Sequence, residues 1–243
     1  MDRNSLHFTI PIGDPTWIWM NLGLVIAIFI TFYFSYKASE HNRNTIANIL
    51  AAVIGLNFIG EQVEAVYNNI WDVKTYLPLH LCSLSTFLAI IFLIYRNQWV
   101  YEFLIFWSAG AIHAFITPEL TNGESLYHIV EFSISHGGII IAALYGSLRL
   151  GFKPRPMSWL KVFGYTQLVL PVIGLINYLL NSNYMYIAQK PNANNPMIIG
   201  EWPWYIIGLE FIVLLHFLVF YWVHNRVASI RYKMPETTLS SST

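Results

Sequence analysis

Cys82 is the one cysteine in the chain, and the chemistry open to a lone thiol is nucleophilic, through its thiolate form. Without a base or a positive environment such a cysteine behaves as an inert small hydrophobe, so its company decides. His80 precedes it by two positions, and residues at that spacing point about 200° apart on an ideal helix, which makes His80 a poor direct base. A histidine on another helix at similar depth, His136 or His113, is the better partner. Glu61, Glu64 or Glu131 would then fix its tautomer and orientation, giving a constellation of Cys, His and carboxylate.

The other polar residues are not scattered. Asn57, Glu61, Glu64 and Asn68 recur at spacings of four, three and four, which puts them on one helical face. His128, Glu131, Ser135 and His136 follow on a later segment, with Thr117 beside His113, and Asn177 and Tyr178 further on. Ionisable groups inside membrane helices are costly and mark function by default. Two other chemistries fit the same residues. His80, His113 and His136 are three imidazoles that would suit a catalytic Zn²⁺ in a seven-helix lipid hydrolase, although no HExxH-type spacing supports it. The Glu and His stripe would serve proton coupling in a transporter or small-ligand permease, although no inverted repeat is visible. Each residue also has a plainer role. The glutamates suit a structural hydrogen-bonded network, His216 reads as a packed or hydrogen-bonded histidine outside the site, Gly137 and Gly138 allow close helix packing, and Pro78 and Pro171 kink their helices.

The elements that must position these groups are membrane helices. Of 243 residues, 56% are hydrophobic and only 11% charged, at mean hydropathy +0.49, too apolar for one water-soluble core. The formal net charge of zero offers no bulk attraction for nucleic acid. Apolar stretches of spanning length fall near 16–36, 45–67, 76–95, 99–118, 126–148, 159–180 and 204–224, the second being weakest because Asn57, Glu61, Gln62 and Glu64 interrupt it. The expected fold is an all-α polytopic bundle of about seven transmembrane helices, with a six-span alternative that demotes the second. With the N-terminus outside, only Arg3, Lys74 and Lys190 of the 13 Lys and Arg fall on the outer side, which sets the C-terminus in the cytoplasm. Trp17, Trp19, Trp71, Trp99, Trp202, Trp204 and Trp222 sit near helix ends, at headgroup level. In that orientation the polar groups gather toward the outer leaflet. The first 17 residues lack a signal-peptide pattern, so the first helix is expected to do the targeting. Residues 1–233 are expected to form one domain and 234–243 a short disordered cytoplasmic tail, while the connection 181–202, with its Pro and Asn turn formers, is placed to cap a site.

Three segments carry a resemblance: LPLHLCSLS at 77–85, SHGGIIIAALY at 135–145 and KPNANNPMIIGEWPWY at 190–205. Their order and spacing resemble the YwaF and transmembrane protein 164 family over nearly the whole chain. The resemblance implies, from the animal branch, a cysteine-dependent phospholipid acyltransferase that works without acyl-CoA, with the nucleophile at Cys82 and the helix-five histidine at His136. The chain is shorter than the animal proteins and resembles the bacterial branch, which implies a multi-pass protein of the bacterial plasma membrane. The expected reaction passes through a thioester: His136 deprotonates Cys82, and His113 or His80 donates to the oxyanion or leaving alkoxide. Membrane phospholipids are the expected substrates, and no cofactor is expected.

Overall fold

The computed structural model describes residues 8–121, 123–191 and 197–232, with side chains described up to residue 226. In chain order the elements are β1 (Phe8–Thr9), α1 (Pro15–Ser35), α2 (Glu40–Tyr67), α3 (Leu81–Tyr95), α4 (Gln98–Ile116), β2 (Glu119–Leu120), α5 (Leu126–Leu148), α6 (Ser158–Leu180) and α7 (Trp204–Tyr232). The expected tail at 234–243 lies outside the described residues, as do Arg3 and Lys233.

Local chemistry sets where the helices begin. Asp14 accepts a hydrogen bond from Thr16 N at 2.7 Å and Pro15 follows it, a cap and a first-turn proline that together start α1. Ser39, Asn97 and Ser125 cap α2, α4 and α5 in the same way, each side-chain oxygen accepting from an amide of the first turn. Helix α3 is different. It starts at Leu81, five residues later than the apolar stretch, because Pro78 removes a backbone donor and biases Leu77 away from helix.

Six helices, all except α3, are long and apolar enough to cross a membrane. At 15 residues α3 extends about 22 Å, short of the roughly 30 Å hydrocarbon thickness. The expectation that the second segment is the weak span is therefore corrected: α2 qualifies at 28 residues, and the third falls short. Helix α3 tolerates this because α2, α4 and α5 enclose it.

The core lies where α3, α4 and α5 meet, with Phe92, Leu93, Tyr101, Leu104, Phe106, Ile139 and Tyr145 fully buried. Gly146 lets α5 approach there, since a Cβ at that position would lie 2.7 Å from Phe92 and 2.8 Å from Tyr101. Helices α1, α6 and α7 instead expose large apolar side chains such as Phe29, Leu168 and Phe211, the faces a lipid solvent accepts.

The two ends of the bundle differ in chemistry. At one end β1 pairs antiparallel with β2, Phe8 opposite Leu120, while Trp17 Nε1 donates to Ile116 O at 3.0 Å and ties α1 to α4. The candidate histidines lie toward this end. The other end is basic, carrying Lys37, Arg43, Arg96, Arg149, Lys153, Arg155 and Lys161. There the fully buried Glu102 receives a two-pronged contact from Arg155, Nε and Nη2 each at 2.8 Å, a third bond from Arg155 N at 2.8 Å, and one from Gln98 at 3.0 Å. The guanidinium also stacks over Trp99 at 4.2 Å, so the connection between α5 and α6 is pinned to α4.

Removing the cation from such a pair strands a buried carboxylate, which costs about 3 kcal/mol or more. Arg155→Ala is expected to lower the unfolding midpoint of the purified protein in detergent, and adding Glu102→Gln to recover part of the loss. Equal midpoints for native and Arg155→Ala protein would show that the pair does not hold this corner.

Candidate active site

The late start of α3 puts Cys82 at the second position of its first turn. The first intrahelical bond of that turn is Leu84 N to His80 O at 3.0 Å, and His80 supplies no side-chain cap. The amides of Leu81, Cys82 and Ser83 are therefore unspent among the described hydrogen bonds, a set of converging donors at a helix N-terminus. Sγ lies against α4 at Gly110, where a Cβ would make ordinary contact, 3.7 Å from Leu81 Cδ2 and 3.9 Å from the sulfur. Gly110 and His113 share a face of α4 at i, i+3, which sets His113 one turn further toward the same end. Sequence reasoning missed Gly110; its signal was a residue without a side chain one turn before a candidate histidine.

Each histidine is oriented by a bond that also decides which nitrogen is free. His136 Nδ1 lies 3.0 Å from Phe132 O, and since a carbonyl only accepts, Nδ1 carries the hydrogen and Nε2 keeps its lone pair. The ring stacks on Phe132 at 4.1 Å, which fixes its plane. His216 Nδ1 likewise donates to Ile212 O at 2.7 Å, and its Nε2 meets His113 Nε2 at 2.8 Å. For two neutral rings His113 must then be the donor, leaving His113 Nδ1 as an acceptor. The reading of His216 as a hydrogen-bonded histidine stands, but its partner is a site candidate. His80 Nδ1 accepts from Met185 N at 3.3 Å, so its proton resides on Nε2.

The alternative zinc arrangement is not assembled among the described residues. His80, His113 and His136 are each directed to a different partner, and among the described residues no group of three or more His, Cys, Asp or Glu side chains gathers to hold a metal ion.

The carboxylates are also placed differently from expectation. Asn57 Nδ2 donates to Glu131 O at 3.2 Å and to its Oε1 at 3.4 Å, Glu64 accepts from Asn68, and His128 Nε2 stands 3.7 Å from Glu64. Trp71 Nε1 donates to Gln62 at 2.9 Å, and a Cβ at Gly60 would lie 3.6 Å from the Tyr127 hydroxyl, so α2 and α5 are packed through this polar seam. Glu61, Glu64 and Glu131 lie close enough to act on one another electrostatically. Among the described hydrogen bonds and ion pairs, no carboxylate reaches His113 or His136. A backbone carbonyl and a second histidine take the orienting role that a glutamate was expected to fill.

Asn177 is buried and structural, knotting the connection that follows α6. Its Nδ2 donates to Tyr184 O at 2.9 Å, and its Oδ1 accepts from Ser182 Oγ at 2.9 Å and Tyr184 N at 2.7 Å. Tyr184 then donates its hydroxyl to Val73 O at 2.7 Å and accepts from Leu77 N at 3.0 Å, bridging to the segment that leads into α3. The rings of Tyr184 and Tyr186 pack on His80 at 5.2 and 5.3 Å, so the connection does cover part of the site. Met185 and Tyr186 hold φ of 56° and 53°, a left-handed conformation unfavourable for side-chain-bearing residues. Tyr205 helps to hold them through its hydroxyl bond to Tyr186 O. Thr117 caps the end of α4 through His113 O at 3.3 Å, Tyr178 is exposed, and Ser135 has no hydrogen-bond partner among the described residues.

The sequence profile of the TMEM164 family matches residues 11–221. An uncharacterized protein of Treponema pallidum (strain Nichols) is 24% identical over 176 residues, which cover 69% of this chain and 70% of that one. No solved structure matches.

Three hydrogen bonds converge on Asn177, and their joint loss costs on the order of 2 to 3 kcal/mol. Asn177→Ala is expected to lower thermal stability and to raise amide exchange across residues 181–191 well above that of the native protein. Unchanged exchange there would mean that the connection is held by other contacts.

Proposed function

Since the chain belongs to the TMEM164 family, we propose that this membrane protein is a phospholipid acyltransferase with Cys82 as nucleophile and His136 as base. One observation carries the reading: Cys82 occupies the first turn of a helix whose leading amides are unspent, packed against α4 at Gly110. A nucleophile on a helix N-terminus brings its oxyanion donors with it, because the amides that the helix does not use point where the tetrahedral oxygen forms.

The proposed cycle is balanced in protons. Nε2 of His136 takes the Cys82 proton, and the thiolate attacks the ester carbonyl of a phospholipid. The oxyanion is received by the first-turn amides of α3. Collapse breaks the ester C–O bond, the alkoxide takes the proton back from His136, and a lysophospholipid leaves a thioester on Cys82. A second lysophospholipid hydroxyl, deprotonated by His136, attacks the thioester, and the departing thiolate recovers the proton. His80, whose proton resides on Nε2, suits the expected auxiliary donor better than His113, whose Nε2–H is committed to His216. His113 and His216 in this reading form a positioning pair behind Gly110.

The concentration of Lys and Arg at the opposite end supports placing that end in the cytoplasm, with the site opening to the outer leaflet of a bacterial plasma membrane. Lipids reach such a site sideways, and the covering turn at Tyr184–Tyr186 restricts water from above.

The test is to incubate purified protein with a defined diacylphospholipid and an isotope-labelled lysophospholipid and to weigh the products by mass spectrometry. Native protein is expected to yield labelled diacyl product, Cys82→Ala none, and His136→Ala at least about a hundredfold less. Transfer that persists in Cys82→Ala would overturn the mechanism.

A further inference from the structure

At the basic end, Arg43 in the first turn of α2, Arg96 at the C-cap of α3 and Arg149 at the C-cap of α5 lie around one tyrosine hydroxyl. Tyr145 OH donates to Arg43 O at 2.9 Å, and the charges of Arg43, Arg96 and Arg149 all bear on it. The three side chains are held by backbone and amide oxygens instead of by acids. Arg43 Nη1 donates to Arg149 O at 3.1 Å, Arg149 Nη2 to Phe32 O at 3.2 Å, and Arg96 Nη2 to Asn44 O at 3.1 Å and Asn48 Oδ1 at 3.2 Å. None of the three is in an ion pair among the described residues.

These bonds leave donors over. Arg96 Nε and Nη1 and Arg149 Nε are buried without any hydrogen-bond partner. An unpaired buried donor on a charged group is costly, so three of them at one place describe an incomplete set. Arg96 adds a second sign. It caps α3 at φ 55°, a left-handed position that glycine or asparagine fills at least cost, yet it carries a long side chain directed back toward α2. Strain of this kind persists where the surroundings require that side chain.

The cluster also adjoins a place for an apolar chain. The Arg149 guanidinium lies over the rings of Phe32 and Tyr36, at 5.3 and 5.5 Å, and those rings line an open groove of about 1000 Å³ between the end of α1 and the start of α2. Phe29 and Tyr33 continue it along α1, and Lys37 stands at its polar rim.

We propose that Arg43, Arg96 and Arg149 form a binding site for a phosphate oxyanion, the group shared by glycerophospholipid headgroups and free inorganic phosphate. Guanidinium forks match phosphate oxygens two at a time, and the leftover Nε and Nη1 donors of Arg96 form one side of such a fork. Phosphate oxygens would fill the unpaired donors, and a lipid bearing that phosphate would lay an acyl chain along the aromatic groove. The site is separate from Cys82, at the far end of the same helix, and does not depend on the proposed chemistry there.

The test uses delipidated full-length protein in detergent. Phosphatidylglycerol and inorganic phosphate are titrated separately and followed by native mass spectrometry for retained lipid and by thermal shift for either ligand. Native protein and the exposed-site control Lys153→Gln are expected to bind alike, and Arg149→Gln to bind about tenfold or more weakly. Should Arg149→Gln fail to fold, Arg149→Lys takes its place: it keeps the charge but has no Nε–H, and a loss of affinity is expected again. Stabilisation by inorganic phosphate as well as lipid identifies the oxyanion alone as sufficient, and stabilisation by lipid only identifies the headgroup with its chain. Binding of neither, or equal binding in native and Arg149 variants, would overturn the proposal.

Discussion

Inside a bilayer no water is at hand to satisfy a backbone group, so every interruption of a helix must be answered by protein. The interruption at Pro78 is the one on which this molecule turns. It shortens α3, leaves amides free, and calls for a partner at Leu77, which Tyr184 supplies with its hydroxyl. Tyr184 is itself fixed by Asn177, so the knot beyond α6 and the break before α3 are one unit. Had the helix begun at Tyr76, as the apolar stretch suggests, Cys82 would lie mid-helix with its amide spent on a carbonyl one turn before. The break converts an ordinary buried cysteine into one at a helix N-terminus.

A second regularity concerns the imidazoles. His136, His216 and His224 all donate Nδ1–H to the carbonyl four residues earlier, at 3.0, 2.7 and 2.9 Å. This is an economical way to orient a histidine in an apolar setting, because the acceptor is the helix's own backbone and no second charge has to be buried. In each case Nε2 is turned outward from its helix as an acceptor. For His216 it meets His113, for His224 it meets Ser147 at 2.9 Å, and for His136 no partner stands opposite among the described residues. The same local geometry thus yields two structural bonds and one Nε2 without a hydrogen-bond partner among the described residues. Where a glutamate would have oriented the ring by charge, the carbonyl does so by position, and the glutamates of α2 remain in their own seam with Asn57, Asn68 and His128.

Much of this was legible in the sequence where hydropathy and polarity change together. The segment 126–148 coincides with α5, and 204 marks the start of α7, because Ser125 and Pro203 punctuate those apolar runs. The start of α2 was read late. Glu40 to Asn44 are polar, so hydropathy passes over them, although Ser39 was a visible cap. The start of α3 was read early for the opposite reason, since Tyr76 to Leu81 are largely apolar and only Pro78 argues against helix. Within the site, depth and residue type pointed to Cys82, His113 and His136, but spacing along one chain carries no information about which nitrogen is occupied. That is decided by Ile212, Phe132 and Met185, backbone groups whose side chains gave no reason to single them out.

The length of α3 joins the two ends of the molecule physically. Cys82 and Arg96 are separated by about 21 Å of helix, whereas the hydrocarbon slab is about 30 Å. A helix this short cannot bring Cys82 and Arg96 to the two apolar boundaries at once. The Arg96 guanidinium draws on protein oxygens at Asn44 and Asn48 and still leaves Nε and Nη1 buried and unpaired among the described residues. One short helix enclosed by α2, α4 and α5 therefore carries the lone thiol at one end and the incompletely bonded Arg96 at the other.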